Sequence, residues 1–243
     1  MGSGPVSAVF FNFHPAMVAR AVPACWDVVA PSELVLCRAT AAAEALEALC
    51  PSLDRVLGAL PLLRRAAARC NGDGRLLTGA NGALWPALEG ELAERALARN
   101  RLGAAEVWQA CTTLREHRGD GHVAALLCAG LSGLEAHLLV TGTEGTAPET
   151  LRDNRGWSEE QWRTGAEALC RRGLLGETGR ATEPGHAMRQ SVEALTDEMA
   201  EVPFAELSDD ELVSLYAALR ECAGQIQQSG LYPFPNPMGL PPL

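Results

Sequence analysis

With 243 residues, 47% of them hydrophobic, the chain can bury a sizeable core in one large domain or two small ones, which excludes a disordered chain. All 20 basic residues are arginine, which excludes Schiff-base lysine chemistry, a lysine-bearing phosphate loop and an amine general base. Against 30 acidic residues the net charge is −10, which opposes non-specific attraction to nucleic-acid backbones or anionic lipid and leaves only a local basic face open.

The apolar run Val9-Phe10-Phe11-Asn12-Phe13 needs immediate burial, and His14-Pro15 starts a first helix with proline in a favoured first-turn position. Ser32 is placed to cap a second helix running to about Leu49, and Ser52 a third that Pro61 bends or breaks before Asn71. Asn71-Gly72-Asp73-Gly74 is a strong turn signal, followed by a loop around Asn81-Gly82 and Trp85-Pro86. Helical spacing resumes from Glu89 to Asn100 and from Leu102 to about Arg118, with no run of alternating strands. From His122 to Val140, the positions Val123, Leu126, Leu127, Gly130, Leu131, Leu134 and Leu138 follow the three-four spacing of one buried helix face, with His137 on it as a core histidine. Thr141-Gly142-Thr143-Glu144-Gly145 then reads as a linker or tight turn.

Beyond it, Ser158 with Gln161 forms a capping box, and Trp157 with Trp162 a hydrophobic staple, so a helix starts there. It runs through Leu169 and Cys170 to a stop at Gly173. Gly176 to Arg180 suits a two-stranded wing, and Thr182-Glu183-Pro184-Gly185 launches a helix with Met188, Val192, Leu195 and Met199 on its inner face. This is winged-helix order. A last helix opens on the capping box Ser208 to Glu211, places Leu212, Leu215, Tyr216, Leu219, Ala223 and Ile226 on one face, and ends at Gly230. Its tail, Tyr232-Pro233-Phe234-Pro235-Asn236-Pro237, is extended and apolar. The expected fold is mainly α: an all-α domain over 1–143, a winged-helix-like domain over 144–203, and a C-terminal helix with a proline-rich tail over 204–243.

The eight cysteines show no CxxC pair or short metal-ligand spacing, and most stand in apolar helical runs, so buried, reduced thiols are expected. No signal peptide precedes Val6 and no apolar run spans a bilayer, so a cytoplasmic protein without membrane contact is expected.

Three stretches carry a resemblance: Phe11-Asn12-Phe13-His14-Pro15 with Val18-Ala19-Arg20, Leu114 to Leu126 around Glu116-His117-Arg118-Gly119-Asp120-Gly121-His122, and Arg155-Gly156-Trp157-Ser158-Glu159-Glu160. Together they resemble an actinobacterial family of helix-turn-helix, MarR-like winged-helix proteins. The resemblance implies a helical N-terminal domain joined to a winged-helix domain. It also implies a further helical stretch before Phe-Asn-Phe, which this sequence does not carry.

Glu116 to His122 is the densest polar cluster in the chain. Two glycines inside a helix cost about 1 kcal/mol each relative to alanine, so a break or tight bend with ionisable groups at its mouth is expected. There His117 would serve as general base, Asp120 would orient it or His122, and Arg118 would hold an anionic group or stabilise an oxyanion, with Glu116 as a further catalytic candidate. Phe11, Asn12, Phe13 and His14 are the candidate substrate-binding residues. A metal held by His14, His117 and His122 is a weaker alternative, because histidines five apart do not share a face of a straight helix. No dinucleotide or phosphate fingerprint occurs, and no cofactor is expected.

The preferred function is binding of an apolar or aromatic small molecule, with cofactor-independent acid–base turnover of isomerase, cyclase or lyase type in secondary-metabolite biosynthesis as its enzymatic form. The alternative is a MarR-like, ligand-responsive transcriptional regulator. From Arg155 to Glu201 there are 6 arginines against 9 acids, which disfavours DNA. A homodimer through the C-terminal helix or tail is expected.

Overall fold

The computed structural model describes residues 10–26, 28, 31–70, 101–232 and 243. The turn expected at Asn71–Gly74, the loop around Trp85-Pro86, the helix from Glu89 to Asn100 and the tail from Pro233 to Pro237 lie outside the described residues. The rest is mainly helical: α1 Pro15–Trp26, α2 Pro31–Leu49, α3 Leu53–Gly58, α4 Leu60–Arg69, α5 Leu102–Cys128, α6 Gly133–Glu144, α7 Pro148–Arg155, α8 Glu159–Arg171, α9 Glu183–Glu201 and α10 Asp209–Gln228, with a 3-10 turn at Val202–Phe204. Among the described residues no single helix is long and apolar enough to cross a membrane.

Two compact units form, each from separated stretches of chain. One joins the described residues up to Val28 to 121–199; the other joins 31–70 and 101–120 to 200–232. The first has a core of Leu126, Leu139, Leu151, Trp162, Leu169 and Val192. The second buries Leu46, Val56, Leu63, Val107 and Ala110 against Leu215 and Cys222 of α10.

In the second unit, α3 and α4 break at Ala59, and Pro61 sits in the first turn of α4, where its missing N–H costs nothing. Ser52 does not cap α3 with its side chain; its hydroxyl and amide both donate to Gln225 Oε1, at 3.0 and 3.1 Å, and tie α3 to α10. Ser32 lies inside α2 rather than capping it, because the helix already starts at Pro31. Along α5, Glu106, Gln109, Thr113 and His117 make a buried polar stripe at helical spacing.

The expected bend at Glu116–His122 is overturned: α5 runs through it unbroken for 27 residues. Two isolated glycines cost less than ending one helix and nucleating another, since nucleation fixes several residues for a single hydrogen bond. The break falls instead where a single helix was expected between His122 and Val140. Gly130 takes φ 65°, Leu131 N–H bonds back to Leu126 O at 2.9 Å, and Ser132 with Glu135 forms a complete capping box for α6. Leu127 and Gly130 accordingly face solvent instead of the core.

In the first unit α7 and α8 are joined by three residues. Gly156 supplies φ 77°, Trp157 N–H reaches back to Arg152 O at 3.1 Å, and Ser158 caps α8 in a capping box with Gln161. Both Trp157 and Trp162 join the core. Gly173, at φ 72°, terminates α8 as expected. The expected two-stranded wing reduces to one antiparallel bridge, Leu175 with Ala181, and no strand forms among the described residues. Five intervening residues close a tight loop, Gly176 N–H to Arg180 O at 2.8 Å, and leave nothing to extend a ladder. On α9, Leu195 faces solvent and Thr196 is buried, its hydroxyl satisfied by Val192 O at 2.7 Å. On α10, Tyr216 and Ala223 face outward and Ala218 and Cys222 inward. The described cysteines are free thiols; Cys50, Cys70 and Cys222 are buried, whereas Cys37 and Cys128 are exposed.

Candidate functional site

The Phe11–His14 segment braces the turn between α7 and α8. Asn12 O accepts from Trp157 Nε1, in the turn, at 3.1 Å and from His137 Nε2, on α6, at 3.2 Å. His14 N–H donates to Arg155 O at 2.8 Å, closing the last carbonyls of α7. The His14 ring meets Trp157 edge-on at 5.1 Å, and Gln161, whose Oε1 is engaged by the Ser158 amide, turns Nε2 to His14 Nε2 at 2.9 Å. The Arg155 guanidinium lies 4.3 Å from the Phe13 ring centre. Phe11 packs into the core, and Gly133 is a forced choice: a Cβ there would lie 2.0 Å from Phe11 O. These four residues, expected to hold a substrate, hold α6, the turn and α8 together.

Behind the brace is a cavity of about 40 Å³, lined by Asn12, His122, His137 and Arg189 among apolar side chains of α5, α6 and α9. Asn12 Oδ1 is buried with no hydrogen-bond partner among the described residues. His137 is 6% exposed. Burial, then repulsion from Arg155, pushes its pKa from 6.5 down to about 4 against the hydrogen bond to Asn12. A carbonyl only accepts, so His137 carries its proton on Nε2. His122 Nδ1 lies 3.0 Å from Thr196 Oγ1, whose own proton goes to Val192 O, so His122 donates through Nδ1. Arg189 is held by Glu144 and Glu193.

The Glu116–His122 residues are distributed around a helix. His117 and His122, five residues apart, are turned about 140° from each other. His117 is buried in the second unit, Arg118 is exposed, and Glu116 pairs with Arg115 at 3.4 Å; His122 belongs to the first unit. Among the described residues no three His, Cys, Asp or Glu side chains are gathered as a metal ion requires, the set His14, His117 and His122 included. Sequence reasoning missed the brace's partners because main-chain groups join them: His137 and Trp157 donate to the Asn12 carbonyl, and the Arg155 carbonyl accepts from the His14 amide.

The outward side of α8 presents Glu159, Glu160, Arg163, Thr164, Glu167 and Arg171 to solvent. Arg163 pairs with Glu167 at 2.6 Å, one turn along, and Arg172 with Glu135 at 2.9 Å. Arg171, and Arg180 in the hairpin loop, are exposed and have no carboxylate partner among the described residues.

A family model described as a helix-turn-helix family matches residues 1–233. No match was found among curated proteins or among solved structures.

Proposed function

We propose, because the chain belongs to that helix-turn-helix family, that the 121–199 unit is the DNA-binding module of a MarR-like, ligand-responsive transcriptional regulator. The observation that carries this reading is the turn Gly156–Ser158, which joins α7 to α8 in three residues and leaves one side of α8 open to solvent. Glu159 and Glu160 fill the electropositive start of α8, so phosphate contacts fall to Arg163, Arg171 and Arg180. Arg163 must leave Glu167, an exposed one-turn pair worth about 0.5 kcal/mol, a cost that a single phosphate contact offsets. Thr164, between them, is placed to meet a base edge. Selection of the full chain against a randomised duplex library tests the reading: it expects enrichment of a defined sequence, and a library that stays random after repeated rounds contradicts it.

The Asn12–His137 cavity supports a second element of the same reading, a ligand that biases the unit. Its volume is far below the roughly 300 Å³ typical of pockets for drug-sized ligands, so the ligand group seated there is small and polar rather than an aromatic ring. The buried, unpartnered Asn12 Oδ1 calls for a hydrogen-bond donor.

A further inference from the structure

The outward face of α10 has the pattern of a helix that pairs with a copy of itself. Its inner face is used up in the second unit, where Leu215, Ala218 and Cys222 are buried and Leu212, Leu219 and Ile226 pack partly against the same core. Outside, Asp210, Val213, Ala217, Arg220 and Gly224 follow one another at alternating intervals of three and four residues, the seam spacing of two helices crossing at a shallow angle. Val213 is 68% exposed and the adjoining Tyr216 62%. With Ala217, Arg220 and Gly224 they line an open groove of about 650 Å³. Apolar side chains this exposed along a regular seam mark an interaction surface.

The charges on the seam decide what fits it. Arg220 touches Tyr216, hydroxyl at 3.0 Å and ring centre at 5.9 Å, and has no carboxylate partner among the described residues. Asp210 is exposed and has no cationic partner among them. The two stand three turns apart on one stripe. A parallel copy would set Asp210 against Asp210 and Arg220 against Arg220. An antiparallel copy, related by a two-fold axis level with Leu215, sets Asp210 against Arg220 of the partner subunit and Val213 against Ala217 of the partner subunit, each contact occurring twice by symmetry. Gly224 leaves room for the chain entering the partner's helix, and Glu221, beside the seam, is already held by Arg55.

We propose that this face of α10 docks a second copy of the chain, antiparallel, with two Asp210–Arg220 pairs closing an apolar centre at Val213 and Ala217. The inference is independent of DNA binding. A pair of 20-residue helices, about 30 Å long, falls short of the roughly 1,200–2,000 Å² of a standard stable interface, so the dimer is reversible with a dissociation constant of about micromolar order.

Sedimentation equilibrium of the full chain across low to high micromolar concentrations tests this. The expectation is a reversible monomer–dimer equilibrium. Asp210→Arg or Arg220→Asp alone weakens it at least about tenfold, and the double exchange restores it to within a few-fold, as symmetry requires. Because Asp210→Arg also places a cation in the first turn of a helix, Ala217→Arg serves as a second probe: it should abolish the dimer with an unchanged circular-dichroism spectrum. A chain that stays monomeric at the highest concentration overturns the proposal. A dimer indifferent to the single exchanges or to Ala217→Arg overturns it, and so does a double exchange no better than the singles.

Discussion

The Phe11–His14 and Glu116–His122 segments look alike as sequences, each short and crowded with side chains that suggest a site, yet they behave in opposite ways. The first has little secondary structure, and its backbone carbonyl at Asn12 collects donors from two elements more than a hundred residues away. The second is an uninterrupted stretch of α5, whose geometry turns its ionisable groups to different sides. Polar density along a chain therefore says little about convergence. What gathers groups in this molecule is a non-helical backbone segment lying against the turn between α7 and α8.

The sharpest way to break the contrast is to compare two glycines. Gly133→Ala drives a Cβ into Phe11 O and should destabilise the protein by about 3 kcal/mol or more, read by denaturant unfolding, because the obstruction is backbone and cannot rotate away. A change below about 1 kcal/mol would mean that the brace yields freely.

Nearly as large is the pH response of His137. Its folded pKa of about 4 lies below the 6.5 of an unfolded chain, so between these values the unfolded state binds the proton and the folded state does not. Stability from this residue is therefore complete above about pH 6.5 and lost as pH falls toward 4, by about 3 kcal/mol in all. His137→Gln, which keeps a donor for Asn12 O without titrating, should flatten that part of the pH–stability curve; an unchanged slope assigns it to other groups.

Trp157→Phe should cost about 1 kcal/mol, the net value of one hydrogen bond, by removing the Nε1 donor to Asn12 O while keeping most of the ring. Gly119→Ala, in contrast, should stabilise by up to about 1 kcal/mol, since the nearest atom to its Cβ is Glu116 Oε2 at 3.9 Å and the helix is continuous. Destabilisation by Gly119→Ala would restore the bend that the Glu116–His122 sequence suggests. Both are read as shifts in the denaturation midpoint.

What was legible in the sequence was chemistry settled within a few residues. The capping boxes at Ser158 and Ser208, the proline start at Pro15, the helix break beside Pro61 and the glycine stop at Gly173 all form where their residue types require. The stop and start at Gly130 and Ser132 belong to the same vocabulary but sit inside an apolar run whose periodicity hides them. Helix faces were legible to within about one position: Thr196 and Cys222 are buried where Leu195 and Ala223 were expected, because Thr196 finds an acceptor within its own helix and cysteine packs as a small hydrophobe. The brace was not legible, since the group at its centre is a main-chain carbonyl. The interleaving of the two units depends on contacts between stretches far apart in the chain, which no local pattern encodes.

The proposal that the braced α7–α8 pair reads duplex DNA is tested most directly by fluorescence anisotropy of the full chain on the duplex upstream of its own gene, titrated at 50 and 200 mM salt. With Arg163, Arg171 and Arg180 each neutralising one phosphate at a slope of about −0.9, affinity should fall about forty-fold or more per bound chain between the two salts. Arg171→Ala and Arg180→Ala should each lower the slope by about 1. No binding at 50 mM, or a salt slope that neither substitution changes, would contradict the claim.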